Sequence, residues 1–235
     1  MGHAKQITVE PTEIVPGTFA EIDGEEHIFN GNDWQPMRGR EIGHALQTVG
    51  GKFMWPLEPY ADEIDFQSVA RGLSTECRYG NQTPRPYPVA WHSVALSHVV
   101  PPEYAQAALI HDASEAFLKD IPRPIRRQEP FKTMYGDIER RLLQACFEYF
   151  EVDFDLMDND DFLFYDLKMS WCEMYMLAQE LPVYQAKITG LYGWDDEKLA
   201  HSRDETYIRW VNDCPRTNVY KYCEVAWLQR FDELF

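Results

Sequence analysis

The stretch that most constrains this chain is Ala107-Ala108-Leu109-Ile110-His111-Asp112-Ala113-Ser114-Glu115-Ala116-Phe117-Leu118-Lys119-Asp120. The run from Tyr104 to Ile110 is apolar and reads as a helix pointing into a core. His111 and Asp112 therefore enter that core as polar groups that need partners. A buried carboxylate requires a cation or strong hydrogen-bond donors, because leaving it bare is costly. A divalent metal meets the need at once: imidazole nitrogen and carboxylate oxygen are ordinary ligands of Mn, Fe, Co, Ni and Zn. Two adjacent residues do not complete such a site, so further ligands must come from elsewhere in the chain.

The surrounding pattern is helical. Pro101-Pro102 opens the helix that carries this stretch, and Pro122 and Pro124 end it near Asp120. Upstream, Phe66, Val69, Ala70 and Leu73 fall at helical spacing behind a capping Asp65, and Gly80-Asn81 ends that segment. Arg78 leaves it beside Tyr79 and Gly80. A surface salt bridge is the ordinary role for such an arginine, and a phosphate clamp is the alternative. Pro88 opens a helix from Val89 to Val99 that carries His92 among Val89, Val94 and Ala95. Taken alone, His92 would more often be a core histidine than a ligand, and His98, six positions on, is turned away from it.

Downstream, Phe131 to Glu151 reads as a helix with Ile138, Leu142, Leu143 and Phe147 as its stripe and an interruption near Gly136. Asp158-Asn159-Asp160-Asp161 caps another, which runs through Asp166 and Glu173 to about Leu181. Two helical stretches follow, over Asp195 to Asp213 and Val219 to Phe235. Residues 1–60 have a different texture. Thr18 to Ile22 and Glu26 to Phe29 flank Asp23-Gly24, a tight-hairpin signal, and Gly and Pro recur through Pro56. The expected fold is an all-α body over 61–235 with an extension of short strands and loops over 1–60. That extension serves as a stabilising or oligomerising flap, or as a substrate lid.

Composition narrows the partners. At 235 residues, 45% hydrophobic and 14% aromatic, the chain is long enough and apolar enough for an ordered core. A net charge of -17 argues against a nucleic-acid or anionic-membrane surface as a global partner. A small anion held in a local cationic pocket stays open, since Lys119, Arg123, Arg126, Arg127 and Lys132 cluster directly after the His-Asp stretch. Five scattered cysteines without a Cys-x-x-Cys read as reduced packing thiols. No apolar run is long enough to span a membrane, no secretory leader is read, and Met1 to Gln6 lacks the sixth-position Ser or Thr of a myristoylation signal. The expected location is cytoplasmic.

A His on one helix, a His-Asp pair on another and an Asp on a later apolar helix resemble the HD-domain metal-dependent phosphohydrolases. The resemblance covers roughly residues 50 to 185. It is closest at His111-Asp112-Ala113-Ser114-Glu115 through Asp120-Ile121-Pro122-Arg123-Pro124-Ile125, which looks like the 5'-deoxynucleotidase branch. The second block, Cys77-Arg78-Tyr79-Gly80 with Tyr87-Pro88-Val89-Ala90-Trp91-His92-Ser93, is similar to small bacterial and phage-encoded HD proteins.

The resemblance implies an HD-domain helical bundle with His92, His111, Asp112 and Asp166 as ligands of one divalent ion, Mn, Co, Zn or Mg. It implies Glu115 as the group that activates water or protonates the leaving oxygen, and Asp120 as a positioning or sugar-reading carboxylate. Glu115 lies three residues past Asp112, so both project from nearly the same helix face. Arg78 is implied as the phosphate ligand and Tyr79 as a neighbouring aromatic, where the nucleotidase branch often has Trp. Lys119, Arg123 and Arg126 extend a cationic rim, although each alone is more ordinarily a solvated residue. Glu173, two turns beyond Asp166, is a candidate to support the ligands. No histidine lies between His111 and His201, which favours a single-metal site over the two-metal enzymes of the family.

The implied activity is hydrolysis of the 5'-phosphoester of a deoxynucleoside phosphate, first of all monophosphate to nucleoside plus phosphate. A deoxynucleoside triphosphohydrolase that releases triphosphate is the alternative, and a non-catalytic nucleotide sensor is the alternative of another class. The substrate partner is a small nucleotide, and the family commonly forms dimers or larger assemblies.

Overall fold

Asp65 begins the helical body by accepting a hydrogen bond from the Ser68 N–H at 2.7 Å, which satisfies one of the orphan donors of the first turn. The computed structural model describes residues 14–181 and 194–235, so Met1 to Gln6 lie outside the described residues. The chain separates into two compact units, Met1–Trp55 and Pro56–Phe235.

The first unit holds β1 (Phe19–Ile22), β2 (Glu25–Phe29) and β3 (Trp34–Pro36) in one antiparallel sheet, and β4 (Leu46–Gln47) paired with β5 (Phe53–Met54). The Asp23-Gly24 turn joins β1 to β2 with Ile22 opposite Glu25. Both turn residues have positive φ, 52° and 82°, which suits the right-handed twist of a hairpin. β3 adds a third strand to the expected hairpin. Ile28, Met37 and Trp55 form this unit's own apolar cluster, and Arg40 lies over the Trp55 ring at 4.0 Å.

The second unit is helical: α1 (Phe66–Thr75), α2 (Val89–Val99), α3 (Ala105–Ile110), α4 (Glu115–Leu118), α5 (Arg123–Arg126), α6 (Phe131–Tyr149), α7 (Asp160–Gln179), α8 (Asp196–His201), α9 (Glu205–Asp213) and α10 (Val219–Leu234). α2 is its centre. Every residue from Val89 to Ser97 is buried, as expected of a helix apolar all round. The hydroxyls of Ser93 and Ser97 donate within α2 to the carbonyls of Val89 and Val94, so they enter the core without orphan donors. Trp227 of α10 is fully buried and its indole N–H donates to the Leu109 carbonyl at 3.1 Å, tying α10 to α3. All five cysteines are free and buried. No helix among the described residues is long and apolar enough to cross a membrane.

Two expected details differ. α6 runs without interruption through Gly136, whose absent side chain faces open space, so the helix bears only the propensity penalty of glycine. The expected continuous helix to Asp120 is broken. α3 stops at Ile110 and α4 starts at Glu115. Between them the N–H groups of Ala113, Glu115 and Ala116 reach back three residues, to Ile110, Asp112 and Ala113. This is local 3₁₀ winding, in which residues three apart eclipse. It stacks Glu115 directly over Asp112.

α4 packs on α1 through Gly72. A Cβ placed there would lie 2.6 Å from the Ala116 Cβ and 2.6 Å from its carbonyl oxygen. Gly72→Ala is expected to destabilise the protein by about 2–3 kcal/mol, because backbone rather than a flexible side chain must move. A urea midpoint equal to wild type would contradict this close approach.

Candidate metal centre

Three elements supply the centre. His92 comes from the middle of buried α2, His111 and Asp112 from the overwound turn after α3, and Asp166 from α7. His92 and His111 face each other with their Nε2 atoms 3.2 Å apart. Asp166 Oδ1 lies 3.0 Å from His92 Nε2 and 3.7 Å from His111 Nε2. Asp112 Oδ2 lies 3.1 Å from His111 Nε2 and 3.9 Å from His92 Nε2. His92, His111 and Asp112 form the compact trio, with ligand atoms within 4.8 Å of one another, and among the described residues they could hold a metal ion.

The tautomers are set from behind. His92 Nδ1 donates to Glu173 Oε1 at 2.6 Å, and His111 Nδ1 donates to the Ala108 carbonyl at 2.9 Å. Both partners only accept, so each neutral ring keeps its proton on Nδ1 and turns an Nε2 lone pair inward. Two lone pairs and the Asp112 carboxylate thus converge, with the Asp166 carboxylate set against the same two imidazole nitrogens, an arrangement of acceptors that a cation resolves. For metal bonds of about 2.0–2.2 Å, neighbouring ligand atoms lie roughly 3 Å apart, and most of these separations are of that order. The donor set fits a divalent ion.

Electrostatics agree. Burial and Arg78 work against a charged His92, yet Glu173 and Asp166 outweigh them and hold its pKa above the ordinary value. Burial also opposes charge on His111, and Asp112 and Asp166 override it more strongly. Asp112 and Asp166 resist burial through their imidazole neighbours and stay below the usual carboxylate range. The field at the centre therefore favours positive charge, and protons compete with a metal for the same nitrogens.

Arg78 reaches this centre and is already engaged there. Its NH1 group donates to Asp112 Oδ2 at 3.1 Å, its Nε–H to Glu173 Oε2 at 3.0 Å and its NH2 group to Ser170 Oγ at 3.0 Å. Tyr79 also turns to Glu173, its hydroxyl donating to Oε2 at 2.7 Å. Glu173 is fully buried and accepts from His92, Arg78 and Tyr79 together. Arg78 and His92 override its burial and keep its pKa low. Asp166, Ser170 and Glu173 repeat at i, i+4 and i+7, so one face of α7 serves the whole assembly. Ser170 was not picked out from the sequence, although that spacing from Asp166 points to it.

Glu173→Gln is expected to weaken divalent-metal affinity by about 10–100-fold, since an amide that presents its NH2 group cannot hold the His92 N–H. Calorimetric titration with cobalt reads this, and unchanged affinity would remove Glu173 from a supporting role.

Glu115 is 4% exposed, and its Oε2 has no hydrogen-bond partner. Burial, then the charges of Asp112 and Asp120, push its pKa well above the carboxylate range. Those neighbours favour the protonated form of this carboxyl group. Asp120 accepts from the Tyr79 N–H at 3.0 Å. Tyr79 and Gly80 are both left-handed there (φ 62° and 60°), so Asp120 clamps an unusual turn. Lys119 and Arg123 are exposed and stand off the cluster. Lys119 Nζ pairs with Glu76 Oε2 at 2.8 Å, and Arg123 opens α5. His98 stacks on Trp210, away from the centre.

Comparison with known proteins adds one relative. No protein-family model matches the chain. Over 95 residues, 40% of this chain, it is 38% identical to the protein named uncharacterized protein YfdR of Escherichia coli (strain K12). The chain spans about half of that relative's length, 53%.

Proposed function

We propose that this protein is a metal-dependent phosphohydrolase of the HD-domain type that cleaves the 5'-phosphoester of a deoxynucleoside monophosphate. The observation that carries the reading is the pairing of two functions in adjacent turns. Two imidazole lone pairs and the Asp112 carboxylate converge, with Asp166 set against the same imidazoles, and a buried Glu115 with an unpartnered oxygen follows one turn after Asp112.

His92, His111, Asp112 and Asp166 would hold the ion. A bound divalent cation supplies charge stabilisation at the phosphoryl group and acidifies water. Mixed imidazole and carboxylate ligands suit Mn, Co or Zn better than Mg, which prefers oxygen. Glu115 donates its proton to the leaving 5'-oxygen as water adds to phosphorus and the P–O bond breaks, and the proton released by that water restores the acid. Burial and the carboxylates of Asp112 and Asp120 favour the protonated form of Glu115 that a general acid requires. Arg78 lies against Asp112, where one guanidinium edge can turn to a phosphate oxygen while Nε stays on Glu173. Asp120 keeps the Tyr79 turn in place and leaves one carboxylate oxygen for a sugar hydroxyl.

The test is hydrolysis of a panel of nucleoside mono- and triphosphates with added Mn, Co, Zn or Mg. Inorganic phosphate from a deoxynucleoside monophosphate is the expected product. Triphosphate from a dNTP would shift the reading to a triphosphohydrolase. No turnover with bound metal would leave a nucleotide sensor.

A further inference from the structure

Two of the cations that flank the proposed acid, Glu115, are matched with carboxylates. Lys119 pairs with Glu76 at 2.8 Å, and Glu76 Oε1 also accepts the Asp120 N–H at 3.3 Å. Arg126 pairs with Glu139 Oε2 at 2.7 Å. Glu139 sits on α6, one turn after Tyr135, whose hydroxyl donates to the Lys119 carbonyl at 2.7 Å. Its side chain is 13% exposed against 43% for Arg126, so the anion is the buried partner and the cation the outer one. Glu139 lies within the field of Asp112 and Asp120, and Glu115 within that of Glu139. Arg78, the remaining cation at the centre, is held by Asp112 and Glu173.

We propose that Glu76 and Glu139 are specificity-determining residues that neutralise Lys119 and Arg126 and so exclude polyphosphate chains from the site. The inference rests on the phosphohydrolase reading and deepens it: the substrate class is a phosphate monoester of low charge. A monoester brings one phosphoryl group, which the ion site and Arg78 can accept. A triphosphate adds two further anionic groups and meets Glu76, Asp120 and Glu139 where it needs free cations. Like charge facing like charge selects against that ligand, with the strength of unscreened Coulomb repulsion only at low salt. A basic rim is legible in the sequence, and the tertiary pairings neutralise its Lys119 and Arg126 members, while Arg123 stays exposed. Glu139 interrupts the α6 face that carries buried Tyr135 and Leu142, the one sequence sign that it has a partner.

Inorganic phosphate and inorganic tripolyphosphate test this without any base preference or turnover, using the full chain with cobalt kept in excess of the anion. Wild type is expected to bind phosphate at least as tightly as tripolyphosphate. E139Q and the double variant E76Q/E139Q are expected to raise tripolyphosphate affinity relative to phosphate by about threefold or more, an effect that shrinks at high salt. Arg126→Gln in the otherwise wild-type chain is expected to shift the ratio further toward phosphate, because Glu139 is left without its cation. Tighter tripolyphosphate binding by wild type would overturn the proposal. So would an unchanged ratio in E76Q/E139Q with wild-type cobalt affinity, or loss of phosphate binding in R126Q. Failure of the nucleotide panel with these anion ratios as expected would instead count against the proposed reaction.

Discussion

Asp112→Ala is expected to lower turnover by about 1000-fold or more and to abolish measurable cobalt binding, with the helical fold retained. Charge stabilisation by a catalytic metal is worth several kcal/mol, and each 1.36 kcal/mol is a factor of ten in rate. Asp112 holds His111 Nε2 at 3.1 Å and stands in the compact trio of candidate ligands. The fold survives because Arg78, the cation that loses a partner, keeps Glu173 and Ser170 at 3.0 Å each. Removing one carboxylate therefore does not orphan a buried charge, the case that unfolds proteins. Calorimetric cobalt titration, hydrolysis of the preferred monophosphate and a circular-dichroism melt read the three parts. Full activity in this variant would remove Asp112 from the site.

Glu115→Gln is expected to move activity and stability in opposite directions. Loss of a positioned general acid lowers kcat by about 10²–10⁴-fold. The same carboxyl group, 4% exposed with one unpartnered oxygen, burdens the fold whenever it is ionised. Its pKa is raised in the folded state by burial, then by Asp112 and Asp120. Its contribution to stability is thus complete below the ordinary carboxylate pKa and is lost as pH rises through the folded value. Glutamine carries no charge at either end of that window. With metal removed by a chelator, the variant is expected to melt above wild type at pH 8, with the gap closing toward pH 4. A gap that does not depend on pH would show that Glu115 is ionised in the folded protein and is not the acid.

Single residues show how far the sequence could be read. His111 and Asp112 stand out because charged or ionisable groups inside apolar helices have few inexpensive solutions, whereas Asp166 alone reads as readily as a surface acid and gains its role from the other ligands. His92 does not stand out alone, since a buried histidine on an apolar helix is ordinary; the resemblance marked it, and the structure sets its Nε2 3.2 Å from that of His111. Arg78 was legible as either an ion-pair member or a phosphate ligand. The structure holds it against Asp112 and Glu173, partners 34 and 95 positions away in the chain. Lys119 and Arg126 read as free cations from the sequence. Their partners, Glu76 just past the end of α1 and Glu139 on α6, lie at no spacing that sequence periodicity reports.

By itself the sequence determined what is local. Apolar periodicity and prolines set the helices, Asp65 and Asn159 cap two of them, and Asp23-Gly24 makes the hairpin turn. These depend on neighbours within a few residues, so composition and spacing carry them. The tertiary structure decided the rest. Packing against Gly72 brings α4 onto α1, and between α3 and α4 the chain winds tightly at His111 to Ser114, which stacks Glu115 over Asp112. It also decided that Glu76 answers Lys119 and Glu139 answers Arg126. Those outcomes follow from contacts between helices far apart in sequence, where distance and burial set the sign and size of every charge interaction.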